Sequence, residues 1–234
     1  MKARTIALTI ALLCANPIAL AQKTSPIFAP NELIFGMTYG DWSAAWWQFY
    51  LQIPNVNNNH PFSPNADDGA CHNGNQADGS QKAGPVYFLA GVFASSTMPV
   101  IRHCTVPAGT PILFPVVNDE FSNLEIANAG VADLRYAAFS ALLPPPTMNV
   151  SLDGVSIGSL GQFHFESPAF SFTAPSPLTS FIFYTRTVSP SNSSSPISVS
   201  DGYWIAIKPL PAGQHTLIFS TSNGINNLYY LTVK

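Results

Sequence analysis

The chain has 234 residues, of which only 9% are charged while 47% are hydrophobic, with 16 Phe, 8 Tyr and 4 Trp among them. That apolar content excludes an intrinsically disordered chain. Nine basic against twelve acidic side chains, with no basic run, remove the electrostatic drive for binding nucleic acid or an anionic membrane surface.

The first 21 residues read as a cleavable secretory signal peptide. Lys2 and Arg4 give a positive start, Ile6 to Leu13 an apolar run, and Ala19-Leu20-Ala21 the small residues a signal peptidase admits, which places cleavage before Gln22. The apolar run is too short to span a bilayer, which takes about 20 residues, and no later segment reaches that length. A lipidated Cys14 is disfavoured because Leu13 stands where a small residue is needed. The expectation is therefore an exported protein, periplasmic or extracellular, with no transmembrane segment, built as one domain over residues 22–234. Cleavage leaves seven basic against twelve acidic side chains and two cysteines, Cys71 and Cys104. In an oxidising compartment these two are the natural disulfide pair, closing a loop worth about 3–4 kcal/mol in the chain-entropy picture. Two free thiols on a metal are the alternative, which the absence of CxxC opposes.

Residues 38–53 are predicted to form an aromatic helix. Thr38 and Asp41 have capping-box spacing, and Trp42, Trp46, Phe49 and Ile53 recur at helical spacing before Pro54. This helix is either a core element or an exposed platform on which Trp42, Trp46, Trp47 and Tyr50 stack against sugar rings. Residues 55–84 are rich in Asn, Asp, Gly and Pro. Within them Asp67, Asp68, Asn73, Asn75 and Asp78 are the hard oxygen ligands that would suit calcium, without EF-hand spacing and equally with the composition of turns.

Strands are predicted from Val86 to Phe93, Val100 to Val106 and Ile112 to Val117. A second helix follows near 131–143, with Val131, Leu134, Ala138 and Leu142 on its inner face and Pro144-Pro145-Pro146 at its end. The remainder reads as β. Met148 to Leu152 meets the hairpin signal Asp153-Gly154, and Leu160 to Glu166, Phe170 to Thr173 and Phe181 to Thr185 continue the series. A Ser/Pro loop runs from Ser189 to Ser200. Tyr203 to Lys208, His215 to Ser220 and Leu228 to Val233 close the chain. Roughly ten short strands and two helices in the first half predict a mainly β fold, a β-sandwich with a helical cap.

The pieces Val150-Ser151-Leu152-Asp153-Gly154, Pro209-Leu210-Pro211-Ala212-Gly213-Gln214-His215-Thr216-Leu217 and Tyr230-Leu231-Thr232-Val233 resemble the closing strands of bacterial extracellular immunoglobulin-like or jelly-roll modules. That resemblance covers about a third of the chain and implies a sandwich without an activity. Tyr39-Gly40-Asp41-Trp42-Ser43-Ala44-Ala45-Trp46-Trp47-Gln48 and Ser200-Asp201-Gly202-Tyr203-Trp204 resemble segments of secreted bacterial signal-peptide proteins, a likeness that implies a family and no function.

Three clusters carry candidate chemistry. Asp119, Glu120 and Glu125 follow the strand at 112–117, where a glycosidase would keep its acid and its base or nucleophile; a polar helix start capped by Asn118 or Ser122 is the alternative. His164 and Glu166 are two apart on a predicted strand and share a face. With His103 or His215 they would hold a divalent metal, although no HxH, HxxxH or HExxH spacing is present. Asp201 fits a turn cap, and Tyr203 and Trp204 point to opposite faces. There is no GxSxG and no phosphate loop. The leading expectation is a secreted binding or structural protein for a neutral glycan or a cell-surface partner; the rival is a secreted hydrolase acting through Glu120 and Glu125.

Overall fold

The computed structural model describes residues 25–55, 60–63, 85–92, 99–175 and 196–234. The signal-peptide segment, the 65–80 loop with Cys71 and its calcium-type ligands, and the strand expected at 181–185 lie outside the described residues. The protein is mainly β, with two five-stranded sheets and two α-helices among the described residues.

The helix α1 spans Tyr39–Leu51, starting where the capping box predicts. Thr38 Oγ1 accepts from the Asp41 N–H at 3.2 Å, and the Asp41 carboxylate accepts from the Thr38 N–H at 3.0 Å. Two of the amide donors orphaned at a helix start are thereby satisfied. Trp42, Trp46, Trp47 and Tyr50 are all buried. Trp46 packs on Trp204 at 5.3 Å and on Phe62 at 5.4 Å, and its indole N–H donates to the Leu89 carbonyl. The exposed sugar platform expected of α1 is thus corrected: an aromatic helix in a charge-poor chain is worth more to the core, where each large ring removes some 150–250 Å² from water.

The first sheet has the order β1 (Tyr87–Phe88), β3 (Ile112–Ser122), β8 (Ile197–Ile207), β6 (His164–Glu166), with β7 (Phe170–Ser171) also pairing β8. The second sheet runs β2 (Val100–Val106), β10 (Asn226–Val233), β9 (Gly213–Thr221), β4 (Met148–Leu152), β5 (Val155–Ser156). Most ladders are antiparallel; β1–β3 and β2–β10 are parallel. Strands β2 and β4 match their sequence limits. The end of β3 does not: residues 118–122, expected outside the strand, continue it, because β8 begins at Ile197 inside the Ser-rich tract and pairs with them residue by residue.

Pro115 sets which residues of β3 share a face. Proline has no N–H for the ladder, and the register slips by one residue between Pro115 and Val117. Phe114, opposite Ile205, and Val117, opposite Tyr203, consequently share a face. On that face Phe114 meets Phe219 of the second sheet at 4.7 Å. The far end of the same face is covered by the second helix, α2 (Val131–Ala141). The opposite face, with Trp204, Ser200 and Glu120, lies under α1: Ser43 and Ser200 hydroxyls are 3.2 Å apart. Gly202 sits just past the bulge, where a Cβ would come within 2.5 Å of the Asn118 Cβ and 2.8 Å of the Val117 carbonyl oxygen. Only glycine lets β3 and β8 approach that closely.

Candidate functional site

The predicted carboxylates part company on β3. Asp119 and Glu120 are neighbours in a strand and face opposite sides. Glu120 is fully buried on the α1 side, where the Ser198 hydroxyl donates to it. Asp119 lies on the α2 side, opposite Asp201, and accepts from the Glu120 N–H at 2.8 Å. Glu125 folds back onto Ser122, accepting from its N–H at 2.7 Å and its hydroxyl at 2.8 Å. With Asp119 and Glu120 on opposite sides of the sheet, Glu120 shut off from solvent and Glu125 turned back on Ser122, the three carboxylates do not line one glycosidase cleft. The acidic spacing is instead strand geometry followed by a tight turn at Ser122.

His164 and Glu166 share a face, as their spacing predicts, but each has its own partner. Register places His164 opposite Tyr203 and Glu166 opposite Asp201. The His164 Nε2 is bonded to Asp201 Oδ1, and Glu166 is ion-paired with Arg135 of α2. Arg135 also donates to the Ser167 carbonyl at 3.2 Å. The other two histidines considered as ligands lie elsewhere. His103 stacks on Tyr230 at 5.1 Å, and His215 is bonded to Asp153 at 2.8 Å. Among the described residues no group of three or more His, Cys, Asp or Glu side chains has an arrangement that would hold a metal ion, so the metal reading is corrected to a His164–Asp201 hydrogen bond and an Arg135–Glu166 ion pair.

These pairs frame an aromatic surface. The His164 ring lies over Tyr203, centroids 4.7 Å apart and 19° from parallel, and the Phe139 ring of α2 is 6.3 Å from that of His164 at 33°. The three rings Phe139, His164 and Tyr203 thus form a row across the junction of α2 and β6. One turn earlier on α2, three residues before Phe139, stands Tyr136; positions three apart share a helix face. Tyr136 is 74% exposed and Phe139 43%. Buried beneath the row is Asp201. Burial pushes its carboxyl upward, and the charge and hydrogen bond of His164 and the Gly202 N–H offset that only in part.

The helix α2 presents these rings because of how its first turn and inner stripe are written. The Asp133 carboxylate accepts from the Gly130 N–H at 2.9 Å and so closes the helix start. Leu134, Ala138 and Leu142 are buried as predicted, while Val131, assigned to the same inner face, is exposed. Fixing Leu134 and Ala138 inward turns Ala132, Tyr136, Phe139 and Leu143 outward. Their i, i+4, i+7, i+11 spacing was legible in the sequence. The His164–Asp201 contact was not, since 37 residues separate the two. The expectation that only one of Tyr203 and Trp204 is buried holds: Trp204 is fully buried and Tyr203 is half-buried.

Cys104 is buried at the middle of β2; Cys71 lies outside the described residues. Among the described residues no helix is long and apolar enough to cross a membrane.

No protein-family model matches the chain, and no curated protein sequence matches it significantly. Among solved structures it is similar to PbICP-C, determined in complex with falcipain-2, at 11% identity and a TM-score of 0.25, over 63% of this chain and 98% of that one. It is also similar to the cysteine protease inhibitor EhICP2 from Entamoeba histolytica, at 11% identity and a TM-score of 0.22, over 56% of this chain and 86% of that one. Similarity at this level carries no argument about function.

Proposed function

We propose that this is an exported, non-enzymatic binding protein whose ligand is a neutral glycan held on the α2–β6 surface. The observation that carries the reading is the row Phe139–His164–Tyr203 beside the exposed Tyr136. Sugar rings have apolar C–H faces that pack on aromatic rings, and hydroxyl rims that seek charged hydrogen-bond partners. Here Arg135 and Glu166 flank the row and are paired with each other, while Asp201 is buried beneath it against His164. The surface consequently offers donors and acceptors without a net charge, which favours a neutral ligand over an ionic one.

Export and a Cys71–Cys104 disulfide belong to the same proposal, supported by the N-terminal sequence and by a buried Cys104. So does the finer description of the two sheets as an immunoglobulin-like or jelly-roll sandwich, to which the mostly antiparallel ladders are suited.

Affinity electrophoresis of the purified protein through gels cast with neutral polysaccharides tests the binding reading. Tyr136→Ala and Phe139→Ala should each weaken retardation about tenfold, the scale of one good ring contact at a binding surface, with unchanged circular dichroism. Retardation by no polysaccharide, or equal retardation of both variants and the parent protein, would defeat it.

A further inference from the structure

The first sheet ends at one edge in residues 25–28, held to β8 by the Ile27–Ile207 bridge and by two main-chain bonds, Phe28 N–H to Ala206 and Lys208 N–H to Pro26. The second sheet ends in the two-residue strand β5. Between these short edges lies a groove of about 860 Å³. Its inner surface is apolar: Ile27, Leu152, Ile157 and Phe163 line it and are themselves buried, so they continue the core to the groove floor. Val155, 55% exposed, and Leu210 stand on its walls.

Four ionisable side chains line the groove, and they neutralise one another in pairs. Lys208 Nζ is 3.6 Å from Glu32 and 5.5 Å from the centre of the Phe28 ring. His215 Nδ1 is 2.8 Å from Asp153, and its Nε2 is 2.9 Å from the Pro211 carbonyl. An ionic ligand would have to displace one partner of such a pair and leave the other exposed to an apolar wall, at a cost of at least the pair's own interaction. Ser156, Ser159 and Gln162 add uncharged hydrogen-bonding groups.

We infer that this groove is a second binding site, which takes an uncharged, mainly apolar small molecule. Its volume falls in the range of ligand cavities, roughly 300–1,000 Å³, and its mix of an apolar floor with a few uncharged polar groups suits a ligand with a long hydrocarbon part and one hydroxyl-like end. This site shares no residue with the α2–β6 surface and stands or falls independently of it.

The probe is N-phenyl-1-naphthylamine, a neutral apolar dye that fluoresces on leaving water, titrated into the purified protein. The expected result is saturable binding at one site, weakened at least tenfold by Val155→Trp and by Leu210→Trp, each of which fills part of the groove. Tyr136→Ala should leave it unchanged. Dodecanol should displace the dye at concentrations at which dodecanoate does not. Melting curves of both tryptophan variants separate a blocked groove from a lost fold, and at least one of them must melt as the parent does for its loss of dye to count. Non-saturable fluorescence, a dissociation constant within twofold of the parent's in a folded tryptophan variant, or equal displacement by dodecanoate overturns the inference.

Discussion

Replacing Arg102 by methionine should cost this protein about 2–4 kcal/mol, although the residue stands in the exposed–buried alternation of an ordinary strand. Arg102 occupies an inward position of β2 and is fully buried. Its Nη1 donates to the Tyr229 hydroxyl at 2.7 Å and to the Ala90 carbonyl at 3.4 Å; its Nη2 donates to the carbonyls of Pro61 at 2.7 Å and Ser63 at 3.2 Å. The side chain thus ties the segment 60–63 and the residues just after β1 to the second sheet. Methionine fills similar volume and donates nothing. Ala90 keeps a donor, because the Tyr229 hydroxyl also reaches its carbonyl at 2.6 Å. Pro61 and Ser63 each lose the bond that Arg102 supplies, and a buried acceptor that loses a charged donor costs about 1–3 kcal/mol. Relief of the desolvated guanidinium returns part of that sum. For a chain of this size the loss corresponds to a fall in Tm of roughly 5–15 °C. Arg102→Lys, with its charge on a single nitrogen in place of a planar fork, should fall between the two. Urea unfolding followed by tryptophan fluorescence measures all three proteins. An Arg102→Met protein as stable as the parent, or more so, would refute the reasoning and show that burying the charge costs more than its four bonds return.

Two further outcomes follow from the same coordinates. Gly202→Ala places a methyl within 2.5 Å of the Asn118 Cβ; a strand shift should cost about 1–3 kcal/mol, and an unchanged melting temperature would show that the bulge relaxes freely. The His215–Asp153 pair should stabilise within a pH window. Burial pushes the His215 ring down, but its hydrogen bonds to Asp153 and Pro211 and the Asp153 charge hold it above its ordinary value. Burial likewise pushes Asp153 up, yet the His215 and Thr216 hydrogen bonds hold it below its own. The contribution is therefore complete between about pH 4 and about pH 6.5, lost as pH rises through the elevated histidine value and as it falls through the depressed carboxyl value. Because Asp153 is largely exposed, the gain is at most about 1 kcal/mol. Urea midpoints of His215→Gln and the parent should differ most near pH 5 and converge by about pH 9; a difference independent of pH would exclude the ion pair as its source.

Composition and local pattern determined much of this protein alone. The capping box at Thr38 and Asp41 and the recurring Trp and Phe residues suffice for α1, the alternation from Val100 to Val106 suffices for β2, and Asp153-Gly154 suffices for the β4–β5 turn, because each rests on contacts within a few residues. The side on which chemistry appears was decided only in three dimensions. Whether the tryptophans of α1 face water or core depends on Trp204, more than 150 residues later in the chain. The continuation of β3 to Ser122 against β8 puts Asp119 and Glu120 on opposite faces, toward α2 and Ser198, and so dissolves the acidic cluster that the linear sequence suggests. His164 acquires Asp201, not a metal, because β6 pairs with β8 in a register that no local pattern encodes. Residues close in sequence share propensity, but a site is made by residues close in space, and here those contacts are set by which strand edges find each other across long separations.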